Sequence, residues 1–296
     1  MTLPISVDLR PQVDFVEDQG SLGICNPFAK LKALQILYER DGVTLNLSEF
    51  YLYYYARLAA NALGKEGSSP ELANAVLKTK GCCLDVSWPY DVSKVEVQPP
   101  LELDAEAERY RITSSATMNW AYGDPLEWVK KHLAGGKPVT LMMHINGDFK
   151  TAAGDCKDWR KTTWTIGQTD EAAHEVVGIG YDDRVQMLLF QNSWGPGWGD
   201  GGFFGMSYAY FMNSRVASLT DCITGFGGAL HPAPFTPPEE VLEWYWEVYR
   251  RDVTDPNDEG VQYWSKNPEG KRKFLQIYLE NVTQTINDLL QQTSPP

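Results

Sequence analysis

The sequence predicts an α+β protein of two lobes, a helical first lobe beside an antiparallel strand-rich second, with a small helical appendage at the C-terminal end. Three observations carry this expectation. In the first third of the chain Phe28, Leu31, Leu34 and Leu37 recur at helical spacing. After Pro138 the pattern changes to short apolar and β-branched runs separated by polar turns. Near Gly225 the texture shifts again, into a proline-rich stretch at 231–238 that reads as a rigid linker.

Taken in order, residues 1–20 read as an extended lead-in. The helix over 28–40 is the longest clear one of the first half, with Lys30, Lys32 and Glu39 left for its other faces and Gly42 to stop it. Pro27 fits a first turn, where its missing N–H costs little, so Cys25 falls at the start of a buried helix. Leu47-Ser48-Glu49-Phe50 and the tyrosines after it lead a second helix to about Ala62. Ser69 as N-cap and Pro70 at the first helical position begin a third, which stops near Gly81. Residues 84–124 read as irregular, apart from an acidic helical stretch near 101–108. A short helix over 125–133 is closed by Gly135 and Gly136. The run 138–145 is strand-like, 175–181 and 185–191 form a hairpin around Asp182-Asp183-Arg184, and 201–206 gives another strand. Beyond the linker, 239–250 and 271–290 carry apolar stripes at helical spacing. The expected division is a main domain over 1–230 and a linker with helical appendage over 231–296, whose 236–296 portion is a candidate partner surface.

Composition narrows the classes. With 43% hydrophobic and 22% charged residues, the 296-residue chain has the make-up of a soluble globular protein. A net charge of -13 argues against a phosphate-backbone ligand, so no nucleic-acid partner is expected. No run approaches the roughly 20 apolar residues that span a bilayer. The amino terminus lacks the basic and apolar regions of a signal peptide, which points to a cytoplasmic or virion-associated protein rather than a disulfide-rich secreted one. Five cysteines at irregular spacing make a poor disulfide framework. Four histidines and these cysteines form no zinc pattern, and the acidic loop at Asp255 has Lys266 where a calcium loop needs Glu. No metal and no cofactor are expected.

The chemistry lies in four residues split across the chain. Cys25 at a helix start is placed for thiolate stabilisation, by the helix amino terminus and by a nearby imidazolium. His174 is the candidate acid and base, and Asn192 the amide that fixes its tautomer. Gln19 is a candidate donor to a developing oxyanion, together with the Cys25 backbone N–H. Antiparallel pairing of the hairpin would bring His174 and Asn192 together. Trp194 would cover their hydrogen bond, with Trp198 in support. Singly, each residue is as well explained by the core or a turn; jointly they point to nucleophilic acyl chemistry.

With these motifs, DQGSLGICNPFA at 18–29, AHEVVGIGYDD at 173–183 and NSWGPGWGDGGFFGM at 192–206, the chain resembles the papain-like cysteine peptidases. LNLSEFYLYYYARL at 45–58 is similar to the family's second helix, and the resemblance spans about residues 6–215 in the family's order. It implies the two-lobed papain-like fold, a peptide or protein substrate, and the roles just assigned. It also implies that Glu175, Ala173, Gly67, Ser68 and Asn26 border the substrate. Glu175 stands where the family commonly has alanine, and its carboxylate would favour a basic side chain in the second acyl-side pocket. Gly67-Ser68-Ser69 corresponds to a backbone ledge for extended substrate.

The departures matter as well. Leu22 removes the usual disulfide partner beside the nucleophile, as expected of a bacterial or phage-like branch, and Asn26 and Pro27 replace an aromatic and a small residue. No long inhibitory segment precedes Pro11, so control is expected from expression, a partner, the appendage or trimming. Three uses of the site remain open on these residues: peptide hydrolysis, acyl transfer through the same thioester (amidase, transpeptidase or ligase), and a catalytically weak binding or structural protein on the same fold.

Overall fold

The computed structural model describes residues 2–118, 120, 123–164, 172–213 and 217–227. The linker and appendage expected at 231–296 lie outside them. The lead-in contributes a short strand, β1 (Ser6–Asp8). Helix α1 (Cys25–Arg40) then begins at the cysteine and is buried at every position from Asn26 to Tyr38. It lies between α2 (Glu49–Ala59) and α3 (Pro70–Thr79) on one side and the sheet on the other. The expectation that Lys30 and Lys32 occupy free faces is therefore overturned. A helix covered all round has no free face, and both lysines are buried among carboxylates.

Ser48 caps α2 by accepting from the Tyr51 N–H at 3.1 Å, and Ser69 caps α3 by accepting from the Leu72 N–H at 3.3 Å. Helix α2 ends at Ala59, short of Ala62, because Asn61 adopts a left-handed φ of 51°. Gly81 ends α3 with φ 83°, and a Cβ there would lie 1.9 Å from the Ala107 carbonyl oxygen, so only glycine fits. The acidic stretch makes a single short helix, α4 (Asp104–Ala107), flanked by 3-10 turns. The segment read as irregular also holds a strand, β2 (Ile112–Thr117). Only Ile112 of it is buried, so it shows no alternation that the sequence could betray.

Asp124 caps α5 (Pro125–Ala134), accepting from the Glu127 N–H at 3.0 Å. The second lobe is an antiparallel sheet of β3 (Val139–Ile145), β4 (Ala172–Asp182), β5 (Met187–Gln191), β6 (Phe203–Ser207) and β7 (Ala217–Phe226), with α6 (Tyr208–Phe211) after β6. Strands run in the order β2-β7-β3-β4-β5-β6, and β1 pairs with the far end of β4. Strand β4 is buried on both faces from His174 onward. Val177 and Ile179 pack with α1 and α2 in one core, and Val176 and Tyr181 pack with α5, β3 and β6 in a second. This is the expected two-lobed α+β architecture, and the first turn of α1 meets the start of β4 where the lobes join.

Candidate active site

Cys25 is the first residue of α1, and Ile24 before it offers no side-chain cap. Cys25 is half-buried, and the residue after it, Asn26, is hydrogen-bonded to Glu175, the residue after His174. Burial pushes the Cys25 pKa up to about 11, opposed by the Glu175 N–H and reinforced by the Glu175 carboxylate.

His174 is 3% exposed near the start of β4, and Asn192 sits one residue past β5. Pairing of Val177 with Gln191 brings them together as expected. His174 Nε2 lies 2.7 Å from Asn192 Oδ1, and the Ser193 N–H donates to the same oxygen at 2.8 Å. An oxygen that already accepts from a backbone N–H is an acceptor for the ring too, so Nε2 carries the proton and Nδ1 is left as the basic nitrogen. Burial lowers the His174 pKa to about 4, against the opposing effect of the Asn192 bond. Burial thus opposes charge on both groups, against the thiolate–imidazolium pair that the sequence led one to expect.

Gln19 reaches this point because residues 18–19 run antiparallel to the turn after β5. Asp18 bridges to Trp194, and the Gln19 N–H donates to the Ser193 carbonyl at 2.9 Å. The Gln19 side chain is pinned at both ends. Its Oε1 accepts from Ser193 Oγ at 2.6 Å, and its Nε2 donates to the Leu22 carbonyl at 2.8 Å. One N–H of that amide is used; the other remains as a donor beside the start of α1. The Trp194 ring lies over the histidine with centroids 4.7 Å apart, and Trp198 meets Trp194 edge-on at 5.3 Å. Phe149 completes this cover, against Trp194 at 5.5 Å and Trp198 at 5.2 Å.

The expected substrate pocket fares differently. Glu175 is 1% exposed, and its carboxylate accepts from Lys30 Nζ at 3.0 Å and Asn26 Nδ2 at 2.5 Å. The cation it was expected to seek in a substrate is supplied within the chain, and the expected basic preference is withdrawn. Asn26 is likewise buried and its Oδ1 accepts from Ser68 Oγ at 2.9 Å, so neither residue is an open cleft surface. The Gly67 N–H already donates to the Tyr53 hydroxyl at 3.1 Å, while Ala173 is exposed.

Behind Glu175 lies a cluster that the sequence reading missed. Lys30 Nζ donates to Glu175, to Thr140 Oγ1 at 2.7 Å and to Asp221, so all three of its N–H bonds are used. Asp221 also accepts from the Thr140 hydroxyl at 2.8 Å and Asn74 Nδ2 at 3.1 Å. Burial works to lower the Lys30 pKa, but the two carboxylates outweigh it and hold it above its ordinary value. For Glu175, burial prevails over Lys30 and raises the pKa. The only sequence signal was the placement of Asn26 and Lys30 four residues apart, on one face of α1. Ser193 was also missed, although it lies within the motif that supplied Asn192.

All five cysteines are free, and among the described residues no group of three or more His, Cys, Asp or Glu side chains could hold a metal ion. No helix among the described residues is long and apolar enough to cross a membrane.

Comparison with known proteins places this geometry in a family. The papain family of cysteine proteases matches residues 3–222. An uncharacterized peptidase C1-like protein of Acanthamoeba polyphaga mimivirus is 27% identical over 219 residues, covering 70% of this chain and 69% of that protein. Pro-cathepsin H of Medicago truncatula is 30% identical over 229 residues, covering 75% of this chain and 61% of that protein. In fold, the chain is similar to xylellain, a cysteine protease from Xylella fastidiosa, with a TM-score of 0.65 at 24% identity over 76% of this chain and 87% of that one.

Proposed function

The chain belongs to the papain family of cysteine proteases, and on that premise we propose that it hydrolyses peptide bonds through an acyl-enzyme on Cys25. One observation carries the reading. Asn26, next to Cys25, donates to Glu175, next to His174, at 2.5 Å, while His174 spends Nε2 on Asn192 and keeps Nδ1 for the thiol proton.

With burial opposing charge on both groups, the proton leaves Sγ for Nδ1 as the sulfur attacks. The S–C bond forms, the carbonyl π pair moves to oxygen, and the oxyanion takes hydrogen bonds from the Cys25 N–H and the free N–H of Gln19. The pair then returns, the C–N bond breaks, and the imidazolium gives its proton to the departing amine. Water, deprotonated by His174, attacks the thioester and releases the acid with the thiol restored. Asn192 holds the ring in the productive tautomer, Ser193 and Leu22 hold Gln19, and Trp194 with Trp198 shields the His174–Asn192 bond from water. A peptide or protein is the substrate. A reducing setting, within a cell or a particle assembled in one, accords with five free thiols.

The test is a peptide library incubated under reducing conditions with the protein and with Cys25→Ala, products being read by mass spectrometry. Cleavage that disappears in Cys25→Ala is expected. Cleavage that persists would overturn the proposal, and thioester turnover onto added amines in place of water would move the protein to acyl transfer.

A further inference from the structure

Two features of the Cys25–His174 junction need a physical account. Helix α1 starts at the nucleophile with no side-chain cap, so nothing local fastens its first turn. Strand β4 meets β5 only from Val177 onward, so at His174 and Glu175 it is paired with β3 alone. The two reacting residues thus sit on a helix end and a strand edge that are each under-held by their own secondary structure. Reaction, however, needs them fixed within a few tenths of an ångström.

The fastening is made one residue further along on both sides. Asn26 follows Cys25, Glu175 follows His174, and Asn26 Nδ2 donates to Glu175 Oε2 at 2.5 Å. One helical turn on, Lys30 Nζ takes the other carboxylate oxygen at 3.0 Å. Two points of α1 are therefore held by one carboxylate, which restrains the helix against both sliding and rotation. Glu175 cannot swing away: Lys30 is itself held by Thr140 and Asp221 on neighbouring strands, and Asn26 by Ser68.

We propose that Glu175 is a positioning residue for the reaction: through Asn26 and Lys30 its carboxylate clamps the start of α1 to β4 and sets the approach of Cys25 to His174. This rests on the reading of Cys25 and His174 as the reacting pair. Glu175 does not touch substrate; it acts through its two neighbours. Its charge also opposes ionisation of the thiol, so the clamp carries an electrostatic signature that a mere strut between lobes would lack.

The experiment compares the full-length protein with Asn26→Ala and Glu175→Gln. The rate of Cys25 carbamidomethylation by iodoacetamide is followed against pH on the Cys25-containing peptide, with peptide cleavage and melting temperature measured in parallel. Asn26→Ala removes one neutral side chain and is expected to fold. Its alkylation rate at pH 7 and its kcat should fall by about tenfold to 100-fold, the scale of a misplacement of an ångström or less. Glu175→Gln keeps the shape and removes the charge, so the pH of half-maximal alkylation should move down. An Asn26→Ala profile that superimposes on that of the unsubstituted protein overturns the clamp, whatever its melting temperature; this variant decides alone if Glu175→Gln does not fold. A folded Glu175→Gln with an unmoved pH profile also overturns it. Peptide cleavage retained by Cys25→Ala would instead strike at the cysteine assignment and remove the clamp with it.

Discussion

Replacing Lys30 by methionine is the sharpest stability test of this structure. Lys30 is fully buried, and its ammonium meets two buried carboxylates, so the cluster already carries one excess negative charge. Methionine fills nearly the same volume but leaves Glu175 and Asp221 facing each other with only Asn26, Asn74 and Thr140 as neutral donors. Removing one member of a buried pair costs about 3–5 kcal/mol, a large part of the roughly 5–15 kcal/mol that holds a domain folded. Glu175, whose pKa burial already raises, would escape part of this cost by taking up a proton, so the loss should shrink as pH falls. The assay is urea unfolding followed by tryptophan fluorescence, in a Cys25→Ala background that prevents self-digestion. A second variant, Lys30→Met with Glu175→Gln and Asp221→Asn, removes all three charges and should recover most of the loss. A Lys30→Met loss below about 1 kcal/mol, the scale of an exposed pair, would refute the account of Lys30 as the neutralising centre of the cluster.

Three further outcomes follow from the site. His174, held near 4 against an ordinary value of 6.5, refuses a proton that the unfolded chain accepts; stability is whole above pH 6.5 and about 3 kcal/mol of it is lost as pH falls to 4. Its ring-proton NMR resonance should therefore stay in the neutral position at pH 5.5, and a midpoint above 6 would contradict the burial argument. Gln19→Ala should lower kcat by about 100-fold to 1000-fold with little change in KM, whereas Ser193→Ala, which only frees Gln19 Oε1, should cost about fivefold to tenfold. A Gln19→Ala kcat within about threefold of the unsubstituted value would remove it from the oxyanion site. Glu49 is buried against Glu17 and its pKa is pushed up by burial first and by the Glu17 charge second. A folded pKa raised above 4.5 costs stability as pH rises from 4.5 to the folded value, so Glu49→Gln should gain on the natural residue across that window. Urea midpoints whose difference between the two proteins is the same at pH 5 and pH 8 would refute the raised pKa.

What the chain disclosed in advance was whatever local pattern determines. The apolar spacing from Phe28 to Leu37 put Cys25 at a helix start, and the hairpin between 175 and 191 put His174 beside Asn192; both follow from short-range geometry. The Lys30 cluster stayed hidden because its members lie 110, 145 and 191 residues from Lys30, and no periodicity links them. The rule that charges mark the solvent face of a helix then gave the wrong side for Lys30 and Lys32. It fails for a helix held between two other helices and a sheet. Strand β7 escaped notice because Thr220, Asp221 and Thr224 dilute its apolar residues, and Asp221 is there to meet Lys30. Glu175 was read as an open pocket residue since its position, and not its surroundings, was all the sequence offered.

The hidden charges and the thiol at the start of α1 are connected by a single constraint. The helix that presents the thiol at its first residue has Ile24 at the capping position, which gives no side-chain cap. The restraint a cap would have given must come from tertiary contacts. Apolar contacts would hold the helix but leave its rotation about its own axis weakly defined, because dispersion is non-directional. A carboxylate gripping positions 26 and 30 defines rotation and height together, since both hydrogen bonds are directional. Its burial requires a cation, Lys30, and the second carboxylate, Asp221, secures that cation from the sheet side. The order of dependence runs from the thiol outward, which is why disruption nearest the thiol, at Asn26, should alter reactivity more than stability. Disruption at Lys30, the electrostatic centre, should do the reverse.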